Sequence, residues 1–250
     1  MKLDELKTTE VDALNRDTVV LVPVAAIEQH GPHLPVGTDS MIAQGIGDAL
    51  DSTMDNKLLV TPVLKFGCSE HHMSRAGTVT LAHEQFKEVV IKIIDSLHRH
   101  GFKRFIILNA HGGNMAVSGV IGEKAISLWP DSEVLVTSWF RLAADAIREF
   151  VEGEGLTVGH ACEFETSLML HLHPALVDMS KAVDDGIVPD AEQLRGDLLV
   201  GPKAGLAKPF HEITKHGVIG KATLATAEKG RRVLVATVGE YVKLIRAVWK

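Results

Sequence analysis

Residues 18–39 read TVVLVPVAAIEQHGPHLPVGTD, and this stretch decides the fold. Residues 18–24 are rich in β-branched side chains and almost wholly apolar, which is the pattern of a strand buried on both faces of a parallel sheet. The polar residues that follow leave the carboxyl end of that strand, where open α/β sheets bind their ligands. We therefore expect the segment after residue 24 to contribute to a functional site.

Three side chains of this segment could bind a metal ion. Glu28 and His30 are two residues apart, so in an extended segment they point to the same side. The Gly/Pro turn that follows can fold Asp39 back toward them. A mixed set of nitrogen and oxygen ligands suits Zn, Mn or Fe better than Ca or Mg. Taken alone, however, Glu28-Gln29-His30 is more simply interpreted as a solvated polar turn.

Two further predicted strands also end in polar segments. Residues 57–64 lead into the loop 66–78, and residues 102–108 lead into Asn109–Asn114, which reads NAHGGN. Helices are predicted between the strands, so the pattern favours a parallel sheet with helices on both faces. The three loops would then meet in one cleft. We predict a single domain over residues 1–250, with 174–210 as a surface excursion that could lie at an oligomer interface.

The composition narrows the function classes. The 250 residues include 26 basic and 32 acidic side chains without a long basic run, which disfavours nucleic acid as a partner. Cys68 and Cys162 show no CxxC spacing, so a disulfide framework or a zinc finger is not expected. No apolar stretch approaches the roughly 18 residues of a membrane span. We expect a cytoplasmic protein without a membrane partner, and the 13 histidines point to metal chemistry.

Five candidate metal ligands and one acid/base group follow from these loops. Asp39 could bridge two ions about 3.5–4 Å apart, the spacing of two-metal hydrolytic sites. As the fifth donor we favour Glu163, at a loop-to-helix junction, and interpret Glu165 as a buried structural acid or a cap partner; the choice between them stays open. An imidazole at His160 could serve as general acid or base, since it titrates near working pH. The ligand set is Glu28, His30, Asp39, His111 and Glu163.

Substrate contacts are expected from the loops after the second and third strands. We name His72 and Arg75 in loop 66–78, and Asn114 after the glycines that follow His111. The pair His71-His72 is equally compatible with two surface histidines.

Three motifs resemble those of the creatininase (creatinine amidohydrolase) family, in the same order and over about residues 15–248. They are Glu28–Pro35 with Asp39, Asn109–Asn114 and His160–Ser167. The resemblance implies a three-layer α/β/α sandwich, two divalent ions such as Zn or Mn, hydrolysis of a C–N bond and a homohexamer. It assigns metal ligation to Glu28, His30, Asp39 and His111, with Asp39 bridging, and an acid/base role to His160.

The chain departs from creatininases at three positions. Creatininases carry a Glu where this chain has Gly113, an apolar residue at the position of Glu163, and a Glu at the position of Gly159. We interpret Glu163 as replacing the carboxylate that is missing at Gly113. The substrate is therefore expected to differ from creatinine.

The expected function is that of a metal-dependent hydrolase. Relatives with the Gly-Gly-Asn version of the second motif include a formamidopyrimidine nucleotide deformylase, a mycofactocin peptidase and a hydrolase of an oxidised inositol ring. We expect a metal-activated water to cleave a C–N bond of a small cyclic amide or formamide. The alternatives are opening of a cyclic ketone, peptidase activity, and a module that binds small molecules through metal without chemistry.

Overall fold

A four-stranded parallel sheet organises the computed structural model, which describes residues 1–55, 57–152 and 158–249. The strand order is β2-β1-β3-β4, so β1 and β3 are central. They pair along their full length, from Val19 opposite Arg104 to Val24 opposite Asn109. The strands are β1 (Val19–Val24), β2 (Leu58–Val60), β3 (Arg104–Asn109) and β4 (Glu133–Ser138).

Helices cover both faces of this sheet. The helices are α1 (Thr8–Asp12), α2 (Thr38–Thr53), α3 (His83–Arg99), α4 (Met115–Leu128), α5 (Trp139–Leu142), α6 (Ala144–Arg148), α7 (Glu163–Leu172) and α8 (Ala227–Val248). Side chains alternate across the strands: Leu21 packs in a core with residues of α2, α7 and α8, whereas Val20 packs in a second core with α3 and α4. The predicted α/β/α sandwich is confirmed.

A second, smaller sheet lies beyond α6. Its strands are β5 (Val158–His160), β6 (Asp184–Asp185) and β7 (Ile219–Lys221), which pair antiparallel in the order β5-β7-β6. Residues 153–157, which precede β5 in the sequence, lie outside the described residues. This sheet matters for function because β5 ends in His160.

Residues 174–210, all of which are described, contain 3-10 turns and strand β6 but no α-helix. Several apolar side chains of this excursion are exposed, among them Leu176, Ile187, Val188, Val200 and Leu206. A role at an oligomer interface stays a prediction. Within the three described ranges, none of the helices combines the length and the apolar character needed to cross a membrane.

Helices α7 and α8 pack closely because α8 has a glycine at the contact. A Cβ atom at Gly230 would overlap the carbonyl oxygen of Ser167 in α7. Gly239, further along α8, has no atom within 4 Å of the corresponding position. A side chain is therefore excluded at Gly230 but has room at Gly239 on the same helix.

We expect Gly230→Ala to lower the free energy of unfolding by roughly 1–3 kcal/mol, since the helices must move apart. Gly239→Ala is the matched control and should raise it by up to about 1 kcal/mol, because alanine is the better helix former. Urea denaturation followed by circular dichroism measures both values. Equal effects of the two substitutions would contradict the close helix contact.

Candidate metal centre

Loops at the carboxyl edge of the parallel sheet bring the candidate residues together. Glu28 and His30 lie in the loop after β1, which turns at Gly31 with a φ of +66°. Asp39 lies in the first turn of α2. His111 follows β3, and all four of these side chains are buried.

The small sheet adds two more groups to the same place. His160 is the last residue of β5, and Glu165 lies in the first turn of α7. Between them, Ala161 has a φ of +49°, a left-handed conformation that is unusual for a residue other than glycine. This sharp turn lets the end of β5 and the start of α7 contribute to one cavity.

Asp39 lies between two of the histidines. Its Oδ1 is 3.1 Å from His30 Nε2, and its Oδ2 is 3.1 Å from His111 Nδ1. Glu28 Oε1 is 3.2 Å from His111 Nδ1 and 3.6 Å from His160 Nδ1. One oxygen on each side is the placement that a bridging carboxylate needs.

Several buried atoms of this cluster make no hydrogen bond of acceptable geometry with the described part of the chain. They are both carboxylate oxygens of Glu28, Oδ2 of Asp39, Oε2 of Glu165 and Nε2 of His30. An unsatisfied buried polar group costs about 1–3 kcal/mol, so such groups are normally paired. The potential ligand atoms of Glu28, His30 and Asp39 lie within 4.8 Å of one another, as do those of His30, His160 and Glu165. These residues therefore fit a divalent cation.

Three histidines are oriented by backbone carbonyl groups. The contacts are His30 Nδ1 to Glu28 O at 3.1 Å, His111 Nε2 to Cys68 O at 3.0 Å and His160 Nε2 to Gln29 O at 2.7 Å. A carbonyl oxygen only accepts hydrogen bonds, so each of these outer nitrogens carries the hydrogen. The nitrogen that faces the cluster can then offer a lone pair, which is how metal-ligating histidines are arranged.

The charges of the cluster depend on one another. Burial, with the nearby carboxylates of Asp39 and Glu28, raises the pKa of Glu165 to about 7. Burial disfavours the charged form of His30, but the carboxylates of Asp39, Glu165 and Glu28 outweigh it and raise the pKa of His30 to about 9. In the same way the pKa of His111 lies well above its ordinary value. Without metal, protons on these histidines balance the carboxylates.

The cluster lines a cavity of about 360 Å³. The cavity also has an apolar wall, formed by Met115, Phe140, Leu198, Phe210 and Ile219. None of the described residues that line it is a lysine or an arginine. A cavity of this volume with an apolar wall and a few polar groups is typical of a small-molecule site.

The structure places Glu163, the predicted fifth ligand, outside the residues that line the cavity. Its carboxylate accepts hydrogen bonds from Lys229 Nζ at 2.5 Å and from the backbone N–H of Glu152 at 3.1 Å. Glu163 and Glu165 are two residues apart on a helix and so point in nearly opposite directions. Glu165 faces the cavity, and Glu163 binds the N-terminal turn of α8.

Two of the three predicted substrate residues have other partners. Arg75 donates to the carbonyl oxygen of Lys215 at 2.7 Å and is not among the residues that line the cavity. Asn114 accepts from the N–H of Cys68 and donates to the carbonyl of Ala25, so it ties together the loops after the first three strands. In the structure Arg75 and Asn114 thus hold loops together and do not line the cavity, whereas His72 does line it.

Gln29 is a site residue that the sequence reasoning missed. Its amide nitrogen lies 3.0 Å from both His72 Nδ1 and His160 Nε2. The sequence position of Gln29 could have indicated this role. In an extended chain, a residue between Glu28 and His30 points to the opposite side from both of them. A buried amide on that side must find its own hydrogen-bond partners.

The family model for creatininase, described as creatinine amidohydrolase, matches residues 4–245. The chain belongs to the creatininase family. This family member is 30% identical to the creatinine amidohydrolase of Pseudomonas putida over 244 residues, which are 92% of this chain and 89% of that protein. The prediction of a metal-dependent amidohydrolase is thereby confirmed at the level of the family.

Two other relatives are named for different activities. A 3-dehydro-scyllo-inosose hydrolase from Thermotoga maritima is 27% identical over 249 residues, covering 95% of this chain and 79% of that protein. A mycofactocin precursor peptide peptidase from Mycobacterium ulcerans is 29% identical over 234 residues, covering 90% and 84%.

Solved creatininase structures share the fold. One described as "Creatininase Mn" has a TM-score of 0.83 and 28% identity, covering 99% of this chain and 98% of the other. A mutant creatininase of "Zn-Zn type" has a TM-score of 0.82 and 27% identity, with the same coverage. These neighbours are Zn or Mn enzymes, in keeping with the nitrogen and oxygen donors that this chain brings together.

Substitution of the two glutamates of α7 separates their roles. We expect Glu165→Gln to weaken Zn²⁺ binding by more than about 10-fold, because the amide has no anionic oxygen for the ion. Glu163→Gln should leave the affinity unchanged and lower the free energy of unfolding by about 1–3 kcal/mol, since Lys229 loses a charged partner. Competition with a chromophoric chelator and urea denaturation measure the two effects. Weaker Zn²⁺ binding by Glu163→Gln together with unchanged Zn²⁺ binding by Glu165→Gln would instead identify Glu163 as the ligand.

Metal binding should release protons. At pH 7.5 the raised pKa values keep His30 and His111 protonated in the metal-free protein, and a metal ion displaces those protons. We expect about two protons to be released per chain on full loading, and the metal affinity to fall as the pH is lowered. Calorimetric titration with Zn²⁺ in buffers of different ionisation enthalpy gives the proton count. A binding enthalpy that is independent of the buffer would contradict this charge balance.

Proposed function

We propose that this enzyme hydrolyses a C–N bond of a small, uncharged cyclic amide or formamide, using two divalent ions. The observation that carries the proposal is the group of three buried carboxylates with unsatisfied oxygens beside histidines whose inner nitrogens offer lone pairs. The proposed ligands are Glu28, His30, Asp39, His111 and Glu165, with Asp39 bridging. When bound, such ions lower the pKa of water and polarise a carbonyl group.

His160 supplies the proton transfers in this proposal. Its Nε2 donates to the carbonyl of Gln29, so Nδ1 faces the cavity with a lone pair. Burial, with the charges of His30 and His72, lowers the pKa of His160 well below its ordinary value, which keeps the ring neutral. Nδ1 accepts a proton from the attacking water and returns it to the leaving nitrogen, so the ring ends the cycle as it began.

The cavity favours an uncharged amide over the other substrate classes. A phosphorylated substrate would need a cationic side chain for its phosphate group, and no lysine or arginine of the described chain lines the wall. A polyhydroxylated ring needs several hydrogen-bond partners, whereas Phe140, Leu198 and Phe210 offer none. The volume of about 360 Å³ suits a small molecule better than a peptide segment.

A substrate panel tests the proposal. Metal-free protein reconstituted with Zn²⁺ or Mn²⁺ is assayed on cyclic amides, formamides, a phosphorylated formamide, cyclic ketones and a short peptide. We expect turnover of an amide or formamide that is lost on chelation, and a kcat/KM at least about 100-fold lower for the phosphorylated compound, because its charge stays unpaired. Turnover of only the ketones or the peptide would replace the proposed substrate class. A panel that is inactive with bound metal would favour a binding module.

Replacement of His160 tests its role separately. His160→Ala should keep the metal content of the native enzyme and lose about 100- to 10,000-fold in kcat, because proton transfer is removed. His171→Ala, at an exposed position of α7, is the control, and its metal content and kcat should equal those of the native enzyme. Elemental analysis and steady-state kinetics give both readouts. Loss of metal from His160→Ala would instead make His160 a ligand.

A further inference from the structure

The orientation of the Gln29 amide is fixed by two backbone groups. Its Oε1 accepts a hydrogen bond from the N–H of Gly31 at 3.1 Å, and its Nε2 donates to the carbonyl oxygen of Gly217 at 3.1 Å. Backbone donors and acceptors cannot exchange roles, so the amide has one orientation. One hydrogen of Nε2 is thereby used, and one remains for a side-chain partner.

Two histidine nitrogens compete for the remaining hydrogen. His160 Nε2 and His72 Nδ1 each lie 3.0 Å from Gln29 Nε2. His160 Nε2 already donates to the backbone carbonyl of Gln29 at 2.7 Å, so it has no lone pair to offer. The second amide hydrogen therefore goes to His72 Nδ1, which must accept.

With this assignment, the nitrogen of His72 that faces the cavity carries a hydrogen, in contrast to the other histidines. With Nδ1 as the acceptor, the ring hydrogen of neutral His72 is on Nε2, which lies 3.4 Å from Glu28 Oε1 inside the cavity. His30, His111 and His160 present a lone pair to the cavity, and His72 presents an N–H group. A nitrogen that carries a hydrogen cannot bind a metal ion. His72 is therefore a hydrogen-bond donor to whatever occupies the cavity.

Gly217 provides the space that the Gln29 amide needs. A Cβ atom at this position would overlap Gln29 Oε1, and Gly217 has a φ of +82°, which disfavours any other residue. Gln29 is buried, with 6% of its surface exposed, so its contacts are not interchangeable with water. The loop before β7 and the loop after β1 together hold the amide in place.

We propose that Gln29 is a positioning residue that makes His72 a donor and His160 an acceptor in one cavity. Resting on the proposed function, this arrangement lets His72 Nε2–H bind the carbonyl oxygen of the amide substrate while His160 Nδ1 handles the proton. A donor that is directed at the oxygen where negative charge develops stabilises the transition state more than the bound substrate. Gln29 acts on His72 through its side-chain amide and on His160 through its backbone carbonyl, and it does not contact the reacting atoms.

The test uses ¹⁵N-histidine-labelled protein loaded with Zn²⁺ and solid-state NMR, which resolves which ring nitrogen carries the hydrogen. The His72 signals are identified by their loss in His72→Phe. We expect an unprotonated Nδ1 and a protonated Nε2 for His72 in the native enzyme. In Gln29→Glu the carboxylate can no longer donate, and we expect a hydrogen to appear on His72 Nδ1. Its kcat should fall by about 100-fold with little change in KM.

Gln85→Glu is the matched control, because Gln85 is exposed and its Oε1 only accepts, from the N–H of Ala82 at 3.0 Å. It should change neither the His72 signals nor kcat. A hydrogen on Nδ1 of His72 in the native enzyme would overturn the proposal, whatever the variant does. So would a folded, Zn-loaded Gln29→Glu protein with unchanged His72 signals. Failure of the proposed function is distinct, since it appears as an inactive native enzyme whose His72 signals are as expected.

Discussion

Three carboxylates share one buried cluster, and the rest of the site depends on how their charge is balanced. Glu28, Asp39 and Glu165 are each at most 4% exposed. Two like charges 4 Å apart repel by about 4 kcal/mol at an effective dielectric constant of 20, so the cluster needs compensating positive charge. Because no lysine or arginine of the described chain lines the cavity, that charge comes either from protonated histidines or from divalent ions. The two states exclude each other, which couples metal binding to proton release.

The histidines of this cluster are oriented by backbone carbonyls, which come from the loops after β1 and β2. His30 uses the carbonyl of Glu28, two residues away, whereas His111 uses that of Cys68, in the loop after β2. His160 comes from the small sheet, yet the backbone of Gln29 in the loop after β1 orients it. The loop after β1 therefore sets the geometry of both sheets at the cavity. A displacement of this loop would disturb ligands and the proton-transfer group together.

The fold was predictable because each strand and helix has its own local pattern, and the position of the cleft follows from the carboxyl ends of parallel strands. Glu28 and His30 were predictable for the same reason, since their spacing places both on one side of an extended segment. Which of Glu163 and Glu165 faces the cavity was not predictable from the sequence. It depends on which face of α7 meets Lys229, a residue 66 positions later in the sequence. The contacts of Asn114 were not predictable either, because its partners, Cys68 and Ala25, belong to other loops.

The same long-range dependence explains where the third carboxylate of the cluster can come from. A side chain at Gly113 would overlap the carbonyl oxygen of Cys68 and Nε2 of His111. Those two atoms form the hydrogen bond that leaves Nδ1 of His111 facing the cluster. In this chain a glutamate at 113 and the present orientation of His111 therefore exclude each other. A carboxylate for this cluster has to reach it from another element, and the first turn of α7 supplies one in Glu165. A glutamate at position 113 would therefore require the loop after β2, which contains Cys68, to move as well.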